Sequence, residues 1–434
     1  MIAHDKAFRR FLIIWSGQLL SAIGSGLTAF ALGVFVFQQT QSTTSYSFII
    51  LCSFLPSFLL LPFSGVLADR FDRKKMMIIG DIGSIAGILF ILLVMLSGRM
   101  ELWHIYLGVG ISSISAAILN PAFKAAISDL VSEEMYSQAS GLIQLASSAQ
   151  YLISPLVAGF LLSAFDIQLV LLIDMMTFLL AVGAVLMIMN HDATPQKQER
   201  QSFFREMSEA FRYLLSKKGV FSLVLLMSVV CFYIGLMQSL FGPMMLTLTD
   251  SKTLGIALSA SASGMLVSSL LIGLFGMSKS KVIMLSFSLV LAGLFYALMG
   301  VFTSVWLIMV FGFLFFITLP FVNTSLEVLI RTNVENERQG RVWSMITAIS
   351  QIGFVLAFGS AGFLADHVFN PLFDADQLLG QTVGHIIGTG PGRGIGFLFV
   401  LSGVLVTLLG IVIGRVRKIR DLEGMTLKGN HSYK

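Results

Sequence analysis

The chain has 434 residues, 56% of them hydrophobic and only 12% charged, with a formal net charge of +5. Soluble domains are about a quarter charged, so this chain cannot cover a soluble surface and falls in the membrane class. A positive balance can mark nucleic-acid binding, but here the distribution of the basic residues carries the meaning. Cys52 and Cys231 lie inside apolar runs and read as small buried hydrophobes. No CxxC and no His-rich cluster occurs, so neither a metal nor a cofactor is expected.

Crossing a hydrocarbon core of roughly 30 Å takes about 20 residues. Twelve runs reach that length: 11–37, 46–68, 75–97, 102–127, 138–163, 167–189, 219–247, 255–277, 281–301, 304–330, 341–364 and 395–414. The first is too long for a signal-peptide core and lacks a small-residue cleavage site, so it reads as an uncleaved span. Backbone in lipid must satisfy its own hydrogen bonds, so the runs are helices. The period-2 alternation of a membrane barrel is absent.

Between spans 2 and 3, six of the seven residues 69–75 are charged, in a chain where charge is scarce. With the N-terminus in the cytoplasm, every Lys and Arg of the 28 except Arg99, Lys252 and Arg393 falls on the inner side. That bias places both termini in the cytoplasm of a multi-pass protein of the cell membrane. The basic charge is therefore topology, and no nucleic-acid partner is expected. Residues 190–218 are the one sizeable polar insert. Phe203, Phe204, Met207, Phe211, Leu214 and Leu215 recur there at helical spacing beside Arg205, Arg212 and Lys217, which predicts an amphipathic helix on the inner leaflet. The domains follow: a six-helix bundle over 1–190, a linker over 191–218, and a second six-helix bundle with a basic tail over 219–434.

The halves repeat. At an offset of 203, Leu102-Trp103-His104-Ile105 falls on Val305-Trp306-Leu307-Ile308, Val131 on Val334, Glu134 on Glu337, and Ala158-Gly159-Phe160-Leu161 on Ala361-Gly362-Phe363-Leu364. The fold class expected is all-α, with twelve transmembrane helices as two six-helix repeats.

The stretch Gly65-Val66-Leu67-Ala68-Asp69-Arg70-Phe71-Asp72-Arg73-Lys74-Lys75 resembles the loop 2–3 signature of the major facilitator superfamily, with Asp72 where Gly is commoner. Trp15-Ser16-Gly17-Gln18, Asn120-Pro121-Ala122 and Gly388-Thr389-Gly390-Pro391-Gly392-Arg393-Gly394 resemble its drug:proton antiporter group, which includes macrolide efflux proteins. Span 5 keeps the spacing of the antiporter signature as Gly141-x8-Gln150-x3-Ser154-Pro155-x2-Ala158-Gly159, with small residues at two of the glycine positions. The span-4 arginine of many exporters is replaced by Ser112.

The resemblance implies a conformational latch at Gly65, Asp69, Arg70, Arg73 and Lys74, with Asp69 meeting the start of span 11 near Gly340-Arg341. The second copy of the loop, residues 273–281, has lost its acid, which makes that latch one-sided. Ionisable groups inside spans are costly and mark function. The proton-coupling candidates are Asp174, Asp81 and Glu327. Asp81 sits roughly 9 Å in from one end of its span and Asp174 roughly 10 Å in from the opposite end. Glu327 stands one turn before Arg331, and the i,i+4 pair is its simplest account. Under the repeat Glu327 also falls on Lys124, so the two are inner-gate candidates. Cavity-lining candidates are Gln18, Ser21, Ser25 and Thr28 on span 1, Gln144, Ser147, Ser148 and Tyr151 on span 5, and Tyr233, Gln238, Asn323 and Gln351 in the second half.

The function expected is secondary efflux of amphiphilic, macrolide-like drugs by alternating access, in exchange for protons. The alternative is a uniporter or symporter for a small nutrient or metabolite. No G-x4-G-K-[ST] and no nucleophile–base constellation occurs, so no enzyme activity is expected. The partners expected are a small-molecule substrate, protons and the bilayer, with the protein acting as a monomer.

Overall fold

The structure is a computed structural model and describes residues 2–132, 135–188, 203–277, 280–335, 339–373, 381–416, 420 and 423; the side chains of 2–7, 62, 64–70, 127–129, 203–206, 340–341 and 386 lie outside that description. No strand occurs among the described residues. In chain order the helices are α1 (Ile2–Thr40), α2 (Thr43–Arg70), α3 (Arg73–Leu96), α4 (Leu102–Leu130), α5 (Tyr136–Ala164) and α6 (Ile167–Leu186). They are followed by α7 (Phe203–Ser216), α8 (Lys218–Leu246), α9 (Ser251–Phe275), α10 (Lys281–Val301), α11 (Val305–Arg331) and α12 (Gln339–Phe363). A π turn, Leu364–Phe369, prolongs α12 into a short α13 (Asn370–Leu372). The short α14 (Gly384–Ile387) then precedes α15 (Arg393–Arg415). Twelve of these helices are long and apolar enough to cross a membrane: α1–α6, α8–α12 and α15. Each of the twelve expected runs falls on one of them.

The chain divides into two compact units, Met1–Glu199 with Asp250–Ser259, and Arg200–Thr249 with Ala260–Lys434. In unit 1, α1 packs on α5 and α6, α3 on α4 and α6, and α2 on α4. In unit 2 the same pattern recurs: α8 packs on α12 and α15, and α10 on α11 and α15. The helix starts carry the repeat in numbers. Leu102 and Val305, and Tyr136 and Gln339, are 203 apart, the offset read from the sequence. Thr43 and Ser251, and Arg73 and Lys281, are 208 apart, because the stretch from the start of α10 to the start of α11 is five residues shorter than its counterpart. That change of offset hid the repeat over the earlier spans.

Two of the apolar clusters of unit 1 lie on either side of a polar layer. One joins Ile14, Met76, Met77, Phe123 and Val185; the other joins Leu27, Leu32, Ile88, Ile91, Ile105 and Leu171. Along α1 and α3 a polar layer separates them, made by Gln18, Ser21, Asp81 and Ser84, all buried. The expected amphipathic helix is α7. Ala210, Tyr213 and Leu214 are its buried stripe, packed in unit 2 where α7 meets α8 and α12, while Phe211 and Leu215 remain exposed.

Candidate transport site

The site is built on α1, the helix that unit 1 packs around. Gln18, Ser21, Ser25 and Thr28 lie along one face of it. Gln18, Ser21 and Thr28 are buried between helices and Ser25 is half-buried, so this stripe serves helix packing first. From α3, Asp81 meets it with 0% exposure. Gln18 Nε2 donates to Asp81 Oδ2 at 3.2 Å, while Asp81 Oδ1 has no hydrogen-bond partner. From α6, Asp174 meets α1 with 1% exposure. Its approach depends on Gly24: a Cβ there would collide with the Asp174 carboxylate and the Thr177 hydroxyl. Thr177 Oγ1 donates to Asp174 O at 2.7 Å and lies 3.4 Å from Oδ1. Thr28 Oγ1 lies in the same buried region and makes no hydrogen bond of normal geometry. Among the described residues neither carboxylate forms an ion pair. Asp81 and Asp174, predicted from sequence to act on different spans, are thus brought onto one helix.

The antiporter-like signature on α5 has a defined job. Ser154 is buried against Gly26 of α1, and its hydroxyl donates to Ile23 O at 2.8 Å. Gln150, the poor match to the family pattern, also packs on Gly26 through its aliphatic stem. The other side of α5 meets the first turns of α9 within unit 1. Gly159 faces Ser251 and Gly255, Gly255 faces the Pro155 carbonyl, and Ser259 Oγ donates to Leu152 O at 2.6 Å. At Gly159 and Gly255 a Cβ has no room. Ser112, at the place of the family's arginine, donates to Ser84 O at 3.3 Å and packs on Gly87. Beside it α3 and α4 approach closely at Gly87 and Gly108.

In the loop between α2 and α3, Gly65, Asp69 and Arg70 fall in the last turns of α2, and their side chains lie outside the described residues. The rest of the loop is built from helix ends. Asp72 is the N-cap of α3 and accepts from the Lys75 amide at 3.1 Å. Aspartate is among the preferred caps, which accounts for its place where the family more often has glycine. Arg73 donates to Ala125 O of α4 at 2.7 Å, and Lys74 to Ile188 O just past α6 at 3.2 Å. Cations at helix C-terminal carbonyls complement the helix dipole.

Glu327 is exposed and accepts from Arg331 at 2.7 Å, as the i,i+4 spacing predicts. Lys124 is exposed. Of the cavity-lining candidates, Gln144, Tyr151, Gln238 and Asn323 are exposed and Tyr233 and Gln351 half-buried.

One residue escaped the sequence reading. Arg393, read only as part of a turn, is 2% exposed. Its Nη1 donates to Ile387 O at 3.1 Å and to Phe302 O at 3.5 Å. Gly388, Gly390 and Gly392 all have positive φ, which lets the turn wrap this side chain. Three glycines spaced two apart beside a basic residue are the signal that could have found it.

Twelve helices long enough to span a membrane, with helix pairing repeated between the halves and two carboxylates buried in unit 1, are the build of a multi-pass membrane transporter. The family model of the Major Facilitator Superfamily matches residues 14–251, and the chain belongs to that superfamily. It is 26% identical over 419 residues to macrolide efflux protein A of Streptococcus pyogenes, covering 95% of this chain and 97% of that protein. It is 28% identical over 307 residues to macrolide efflux protein A of Enterococcus faecalis, covering 70% of this chain and 95% of that one. Among solved structures, the inward-facing, unoccupied bacterial homologue of the human lysosomal transporter Spinster matches with a TM-score of 0.73 at 14% identity, covering 96% of this chain and 98% of that one.

Proposed function

We propose that this protein exports amphiphilic, macrolide-like compounds by alternating access in exchange for protons, acting as a monomer with both termini in the cytoplasm. The observation that carries the reading is the pair of carboxylates, Asp81 and Asp174, buried against α1 with no ion-pair partner among the described residues. Carboxylates inside spans mark proton relays in transporters, and proton uptake at this pair would remove the charge that opposes movement of α1. Near-full-length similarity to a macrolide efflux protein supports the cargo class. Gln144, Gln238 and Asn323 are exposed amides, each eight residues from the nearer end of its helix, so roughly 12 Å into the span. An amide at that depth is costly against hydrocarbon, which favours water on these faces. The half-buried Tyr233 and Gln351 extend them. The orientation follows from the basic residues.

The loop 65–75 serves as a conformational latch in this reading, with Asp69 at its centre. Asp69→Asn is expected to abolish transport while expression persists. The test of the whole reading is erythromycin efflux from proteoliposomes with and without an imposed pH gradient. Efflux that rises with the gradient supports proton exchange; equal flux in both conditions replaces the antiporter with a facilitator.

A further inference from the structure

We propose that Glu423, in the tail that follows α15, is a positioning residue for transport. It supplies to α10 the N-terminal acid that α3 carries in its own loop as Asp72. The register comes from the helix starts. Arg73 and Lys281, which open α3 and α10, are 208 apart, as are Thr43 and Ser251. In that register Gly65 falls on Gly273, Asp72 on Ser280 and Arg73 on Lys281. The acid of the first half is thus replaced by a hydroxyl in the second.

Ser280 is the N-cap of α10, with extended backbone at φ −90 and ψ 105. Its Oγ accepts from the Ile283 amide only at 3.5 Å, the limit of a hydrogen bond. Glu423 completes the cap. Its Oε2 accepts from Ser280 Oγ at 2.9 Å, and its Oε1 accepts from the Lys281 amide. The first amides of a helix have no partner within it, and the positive end of the helix dipole favours an anion there. A carboxylate acceptor binds such donors roughly twice as strongly as a neutral oxygen. The two bonds span 142 and 143 residues of sequence. They tie the segment beyond α15 to the start of the helix that packs between α11 and α15.

Asp72 is fixed in the turn it caps. Glu423 reaches its helix from outside the turn, eight residues beyond the end of α15. While it is bound, the start of α10 is joined to the segment beyond α15, a contact that a rigid-body rearrangement of a transporter half can use. Its loss therefore slows the conformational step and leaves substrate binding intact.

The proposal rests on the efflux reading only in the second arm of its test. In the first arm, hydrogen exchange is followed at the amides of 281–283 in full-length protein in nanodiscs. Glu423→Ala is expected to speed exchange there by about tenfold or more, Glu423→Asp by less, and Ser280→Asp added to Glu423→Ala to restore protection. In the second arm, erythromycin efflux by Glu423→Ala shows a several-fold lower maximal rate with unchanged KM, and Ser280→Asp restores the rate. Unchanged exchange in Glu423→Ala, or an acid at 280 that rescues neither measurement, overturns the proposal. If the wild-type protein moves no erythromycin, the macrolide reading falls, and the exchange arm still decides the cap.

Discussion

At the scale of single residues, the chemistry concentrates where a carboxylate has lost its water and gained little in return. Asp81 accepts one hydrogen bond, from Gln18, and its other oxygen has none. A carboxylate so placed inside a span is costly and marks function. Asp81→Asn keeps the shape and fixes the neutral form, so it is expected to abolish gradient-driven efflux while leaving folding intact, as judged by size-exclusion profile and substrate-induced quenching of tryptophan fluorescence. Gly24 is the second sensitive position, because α1 and α6 touch through its missing side chain. Gly24→Val is expected to cost about 1–3 kcal/mol from overpacking, visible as a lower thermal midpoint in detergent. The sequence marked Asp81 and Asp174 because ionisable groups are rare in its spans. It could not show that both press on α1, since that depends on which helix faces which. The role of Asp72 was equally hidden: in sequence it was a departure from a family pattern, and in the structure it is the cap of α3.

At the scale of elements, glycine spacing decides which helices come close. On α5, Ser154 serves α1 and Gly159 serves the start of α9, so one helix is packed on two sides by one short signature. Gly255→Val places a branched side chain against the Pro155 carbonyl. A cost of about 1–3 kcal/mol there corresponds to a 5- to 150-fold shift in a conformational equilibrium, and is expected to reduce efflux by at least fivefold at normal expression. The α7 helix was legible from its amphipathic pattern. The burial of its stripe within unit 2 was not, because an apolar face on such a helix can seat on protein or on lipid. The long segment after α12 was opaque in sequence. It contains a π turn, and its end is a glycine turn closed over the side chain of Arg393.

At the scale of the whole molecule, the repeat governs the design. Helix pairing recurs from one half to the other, but the two loops after α2 and α9 are not alike. The first holds its acid internally, and the second receives one from the tail. The two helix starts nevertheless share a device: among the described residues, both α3 and α10 begin on a carboxylate. The proposed orientation makes its own prediction. An epitope placed at the C-terminus is expected to react with antibody only after the cells are permeabilised, and reaction on intact cells would reverse the topology.

The sequence by itself determined the membrane class, the number of spans, the superfamily resemblance and half of the repeat. These rest on composition, on the length needed to cross lipid, and on local motifs, all of which are written along the chain. Tertiary structure alone decided that Asp81 and Asp174 share α1, that Ser112 bonds to Ser84 O across α3 and α4, and that Glu423 caps α10. Each of those facts joins residues far apart in sequence. Which of them meet is set by helix rotation and close approach at glycines, and hydropathy carries no record of either.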